Sequence, residues 1–194
     1  MFKELVKKNR SARSFSPEGT ISPQVLCELC DVARHSPAAM NLQPLKYRIV
    51  TDTDEVAALV ANTGWARSLS IPLPPKGHEP SAFIVICHDR SIAPEKPIFL
   101  IDVGIVAQTI MLAATEKGLG GCMIGSGKEE TIASLLDLPE GIVPKLVLGL
   151  GVPDEKVVLE DAREGRVTYF RDEGNVHHVP KRPLEEILLF RKKS

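Results

Sequence analysis

The sequence predicts a single mixed domain of helices and strands packed around one long apolar helix. Three observations carry this. From Ile98 to Ala114 the only clearly polar residues are Asp102, Gln108 and Thr109, so the helix is covered on nearly all sides. Ala82 to Cys87 (AFIVIC) and Lys145 to Leu150 read as strands buried by their apolar runs. Finally, 194 residues with 43% apolar content suffice for one core with an extended tail, and there is no internal repeat.

Taken in order, Phe2 to Lys8 reads as a short helix with Phe2, Leu5 and Val6 on one side. The next residues, Asn9-Arg10-Ser11-Ala12-Arg13-Ser14-Phe15, put two guanidinium groups among hydroxyls, which makes either an anion cradle or a solvated turn. Ser22 and Pro23 open a second helix as N-cap and first residue. Ser36 to Pro44 is too proline-bounded for a regular element, and reads either as small residues and amides that can approach a flat polar ligand or as a plain connecting loop. Tyr47 to Val50 is a strand and Asp54 to Ala61 a helix. Trp65 to Pro80 is a long surface loop rich in Pro, Gly and Ser, read as a lid or a connection.

The long helix is about 30 Å. Asp102, Thr109 and Glu116 stand seven apart and make one polar stripe along it. It stops at Gly118. Cys122-Met123-Ile124 is strand-like, Glu129 to Leu136 a helix, Val167 to Phe170 a candidate strand, and Leu184 to Leu189 a short terminal helix.

Composition excludes several classes. A net charge of −1 argues against nucleic acid or an anionic membrane as partner. The start carries basic residues without an apolar region or cleavage site, unlike a signal peptide. The long helix has the length of a membrane span, but Asp102 and Gln108 lie inside it and no second such segment exists. Cys27 and Cys30 form a CxxC inside a helical pattern, read as small buried residues rather than a metal or redox pair. Free thiols fit a reducing cytoplasm.

GLGGCMIGSGK is neither a dinucleotide fingerprint nor a phosphate loop. A fingerprint needs strand, glycine turn, then helix, and here a helix ends at Gly118. A phosphate loop needs Lys directly after its last glycine, but Ser126-Gly127-Lys128 follows Gly125. Gly125 and Gly127 instead allow backbone N–H groups to face a ligand closely.

Arg10-Ser11-x-Arg13, Ser36-Pro37-Ala38-Ala39-x-Asn41-x-Gln43-Pro44, the helix from Asp102 to Gly118-Leu119-Gly120, Ile124-Gly125-Ser126, Leu148-Gly149-x-Gly151-x-Pro153 and Lys181-Arg182-Pro183 together resemble the nitroreductase family. The resemblance covers almost the whole chain in order. It implies an α+β fold, a mostly antiparallel sheet flanked by helices, and an intertwined homodimer with two FMN sites in its interface. The outer side of the long helix would then face the partner. By position, the resemblance assigns Arg10 and Ser11 to the FMN phosphate, with Lys181 and Arg182, and Arg13 to the flavin pyrimidine edge. Pro37, Ala38, Ala39, Asn41 and Gln43 resemble the segment that the second subunit lays on the flavin. Ile124, Gly125 and Ser126 resemble the piece beside flavin N5. Two departures stand out: Asn9 where many relatives have Arg, and Leu45 where Trp is frequent.

The activity so implied is hydride transfer from NADH or NADPH through FMN to a nitroaromatic, quinone or similar small acceptor by a ping-pong mechanism, with no catalytic side chain named. A storage or sensor protein for FMN without turnover, and a structural homodimer with an empty site, are the competing readings. His177 and His178, expected as surface or phosphate-side residues, stay outside the chemistry.

Overall fold

The strand Ala82–Asp89 (β2) is buried along its whole length because both its faces are covered. Ala82, Ile84 and Ile86 point into one apolar cluster with Leu26, Leu29, Val106 and Ile110. Phe83, Val85 and Cys87 point into the other with Phe15, Leu59, Trp65 and Ile132. Period-2 alternation therefore leaves no polar face, and the run reads as continuously apolar. The computed structural model describes residues 1–66, 68–69 and 71–189.

Contacts divide the chain after Asp154 into two compact units. In the first, Leu45–Val50 (β1), β2, Ile142–Gly151 (β4) and Gly120–Ile124 (β3) form an antiparallel sheet ordered β1-β2-β4-β3. The β2–β4 register shifts between Ile86 and Cys87, opposite Pro144, which has no N–H to give the ladder. Helices Phe2–Lys8 (α1), Pro23–Arg34 (α2), Thr53–Ala61 (α3), Ile98–Glu116 (α4) and Glu129–Leu135 (α5) surround it. Ser22 caps α2 through Val25 N–H, and Asp52 caps α3 through Asp54 and Glu55, which starts α3 at Thr53. Helix α4 closes in a Schellman turn: Gly118 (φ +77°) and Leu119 donate to Thr115 and Ala114 carbonyls.

Trp65 is an exception in a segment whose described residues otherwise lie mostly exposed or half-buried, as a surface loop should. It is 5% exposed and makes edge contacts with Phe15 and Phe83. Glycines on β4 make room for these rings: a Cβ on Gly149 would stand 2.7 Å from Trp65, and one on Gly151 2.6 Å from Phe15. The far end of the loop returns to the same place, where Phe15 N–H donates to His78 O.

The second unit holds Val157–Asp161 (β5), Phe170–Arg171 (β6), His177–Lys181 (β7) and the helical turn Leu184–Ile187 (α6). β7 lies between β5, which it pairs in parallel, and β6. The strand expected over Val167 to Phe170 shrinks to Phe170–Arg171, because only these two residues find partners on β7. The helix expected to Leu189 ends at Ile187, with Leu188 extended. His177, expected at the surface, is buried against Tyr169. Cys27, expected buried, is exposed, while Cys30 is half-buried.

Candidate functional site

The segment after α1 is fixed by Asn9. Its buried amide donates to Met111 O (3.0 Å) and Thr115 Oγ1 (2.9 Å), and its Oδ1 accepts from Gln108 (3.1 Å), all on α4. From there residues 11–12 run parallel to β3, with Ser11 bridged to Gly121 and Ala12 N–H donating to Gly121 O at 2.8 Å. Arg10, Ser11 and Arg13 thus line the β3 edge of the sheet, and β3 ends at Ile124 and leads directly into Gly125-Ser126. Ile124 is buried, Gly125 has open space where a Cβ would stand, and Ser126 Oγ clasps both backbone groups of Gly64.

Arg10 holds Val6 O through Nη2 at 3.0 Å, but its Nε is buried and has no hydrogen-bond partner. Burial also lowers its pKa from the ordinary arginine value. A partly desolvated cation with an unused donor is the arrangement an anionic group would complete. The residues present therefore fit a phosphate.

The segment from Ser36 to Gln43 hangs on the polar stripe of α4. Ser36 Oγ meets Thr109 Oγ1 at 3.1 Å, and Ala39 N–H donates to both oxygens of buried Asp102. Ala39–Asn41 forms one 3₁₀ turn where no regular element was expected. Met40, Asn41 and Gln43 all adopt left-handed φ of 50–54°, a conformation that costs non-glycine residues energy and persists only when surroundings impose it. Pro37, Asn41 and Gln43 are exposed, and Ala38 and Ala39 half-buried.

Within one chain these two groups of residues stand apart. Pro44 leads into β1 at one edge of the sheet, whereas β3 and its Gly125 turn form the other. Three strand spacings separate them, about 14 Å. Lys181 and Arg182 belong to the second unit: Lys181 O accepts from Ala162 N–H, and Arg182 pairs with Glu186 at 3.1 Å. The motif reading gave Asn9, Gln108 and Asp102 no anchoring role, although Gln108 and Asp102 stood out as polar residues inside an apolar helix. Among the described residues no cluster of three or more His, Cys, Asp or Glu could hold a metal ion.

A sheet flanked by helices on both faces, with an arginine-serine segment laid against its edge strand, defines the class, and a sequence profile described as Nitroreductase family matches residues 6–69 and 75–152. The chain belongs to the nitroreductase family. It is 27% identical to an oxygen-insensitive NADPH nitroreductase of Salmonella typhimurium, over 97% of this chain and 78% of that one. Among solved structures it resembles a nitroreductase family protein of Clostridium novyi NT, with TM-score 0.68, 25% identity, and 79% and 86% of the two chains covered. An FMN-dependent nitroreductase of Clostridium difficile R20291 shares the fold with TM-score 0.65 at 21% identity, over 83% of this chain and 91% of that one.

Proposed function

We propose that this chain is an FMN-dependent oxidoreductase that takes hydride from NADH or NADPH and delivers it to a nitroaromatic, quinone or similar conjugated acceptor. The supporting observation is the buried, unpartnered Nε of Arg10 on a segment that runs beside β3 toward the Gly125 turn. The Salmonella relative is named for NADPH and the C. difficile structure for FMN, which agrees with this reading. Bound FMN would supply the hydride chemistry at its N5, donor and acceptor using the site in turn by a ping-pong mechanism.

The chain's own residues bind and orient. Arg10 and Ser11 hold the phosphate, with Lys181 and Arg182 assigned there by the family resemblance. Arg13 faces the pyrimidine edge, where a cation favours the reduced, more negative cofactor. Ile124, Gly125 and Ser126 offer backbone beside N5. Pro37, Ala38, Ala39, Asn41 and Gln43 come from a second copy, since their own sheet edge lies away from the Gly125 turn. Two copies also explain the exposed apolar stripe of α4, where Leu100 is 60% and Ile101 58% exposed beside Ile98 and Ile105. Covering each such side chain is worth about 1 kcal/mol. Residues 1–194 act in this reading as one FMN-binding domain, working in the cytoplasm.

The test is spectroscopic. Purified protein binds one FMN per chain as a dimer, NADH or NADPH bleaches it without oxygen, and a quinone restores the colour. Flavin that binds but resists bleaching would indicate storage or sensing. Protein that ignores added FMN sinks the proposal.

A further inference from the structure

Cys27 and Cys30 lie one turn apart on α2, and neither is among the residues assigned above to FMN. Cys27 is exposed and Cys30 half-buried, whereas Cys87 and Cys122 are buried in the opposite cluster. Residues three apart on a helix face the same way, with Cβ atoms about 5–6 Å from each other. A disulfide needs about 3.5–4.5 Å, so the helix resists closing one directly. An atom bridging the two sulfurs spans the larger gap without unwinding α2. Burial, and then the neighbouring Cys27, push the Cys30 thiol up to about 12, which keeps it protonated and slow in disulfide exchange. With no third ligand grouped nearby among the described residues, a four-coordinate ion such as zinc is poorly served.

We propose that Cys27 and Cys30 form a two-sulfur site for monosubstituted trivalent arsenicals. The step is a condensation: the arsenic–oxygen bond and two S–H bonds break, and two As–S bonds form. Both protons leave with the oxygen as one water. Arsenic stays trivalent, and no oxidant or reductant takes part.

Phenylarsine oxide is the probe, applied to the full-length protein with its flavin. One equivalent is expected to add per chain, removing two titratable thiols and mapping to the peptide that contains residues 27–30. The adduct should survive excess 2-mercaptoethanol, yield to 2,3-dimercaptopropanol, and leave α-helical circular dichroism and flavin absorbance unchanged. Cys27→Ser, an exposed substitution, should lower retention at least tenfold. An adduct that persists in Cys27→Ser overturns the proposal. So does zinc binding of equal strength, or ready oxidation of the pair to a disulfide with the helix intact.

Discussion

The backbone N–H of Ala39 donates to both carboxylate oxygens of Asp102, at 3.0 and 3.1 Å, and so fastens a strained loop to the longest helix. Asp102 is 3% exposed, so removing it leaves the Ala39 donor without its acceptor. Asp102→Ala is expected to cost about 1–3 kcal/mol in urea unfolding. Asp102→Asn keeps one acceptor oxygen and should cost less. Equal losses in the two variants would show that the carboxylate geometry does not hold the loop.

Asn9 makes the corresponding link for the arginine-serine segment. Its three hydrogen bonds to α4 are lost together in Asn9→Leu, which buries no substitute partner for Gln108 or Thr115. A loss of about 2–3 kcal/mol is expected, with weaker FMN binding because Arg10 and Ser11, proposed above as the phosphate holders, follow directly. Asn9→Arg introduces the residue that the family resemblance implies at this position, but it places a long cation in an amide-sized space. That variant should also be destabilised, and a stability gain would refute the anchoring role.

Much of this architecture was legible in the sequence, and what escaped has a common cause. β2 and α4 were visible because each is apolar enough to read without a partner. Gly118 and Ser22-Pro23 were visible because their conformations are local. β7 was not: His177-His178-Val179-Pro180-Lys181 has the composition of a loop, and it is a strand only because β5 and β6 lie on both sides. The burial of Trp65 depends on Gly149, 84 positions later, which periodicity cannot connect. In the candidate site, the motifs name residues without foretelling the parallel course of Ser11 beside Gly121. That course is set by Asn9 on α4, a contact between residues about a hundred apart.

The glycine notch under Trp65 gives a stability prediction independent of the cofactor. In Gly149→Ala the new methyl would stand 2.7 Å from the indole and 3.1 Å from Phe83, inside a strand that cannot move freely. Overpacking of this kind costs about 1–3 kcal/mol. A lowered melting temperature with shifted Trp65 fluorescence is the expected result. An unchanged melting temperature would mean that the indole does not occupy the notch.

His178 makes the small sheet pH-dependent. Its ring meets Asp172 at 3.1 Å and Glu160 at 3.2 Å, and stacks on Phe170 with centroids 4.7 Å apart. The hydrogen bond to Asp172, then that to Glu160, raise its pKa above the ordinary histidine value. Only the imidazolium can donate to both carboxylates. The stabilisation is therefore complete below the unfolded pKa of about 6.5, and is lost as pH rises through the raised folded value. On the acid side, Val176 N–H and then His178 lower the pKa of Asp172, so its share is lost only as pH falls through that lowered value. Ring-proton NMR should show His178 titrating late, and corrected amide exchange in β5 to β7 should quicken across the same range. His178→Asn should flatten the profile, and a histidine titrating at or below about 6.5 would refute the clamp.

Arg10 and Arg13 should separate by observable. Arg10 offers a buried, unused Nε to an anion, and a charge-assisted hydrogen bond is worth about 1.5–3 kcal/mol. Arg10→Ala is therefore expected to weaken FMN binding by about tenfold to ~150-fold, measured by fluorescence quenching, with the potential of the bound flavin little changed. In the proposed assignment Arg13 lies at the pyrimidine edge, where its charge would favour the reduced cofactor over the oxidised one. Arg13→Ala should lower the potential and slow bleaching by NADH, with a smaller effect on affinity for oxidised FMN. Both arginines sit on the same segment beside β3, so a general disturbance of that segment would move both observables in both variants. The split between affinity and potential isolates their separate roles, and its absence would count against the assignment of either residue.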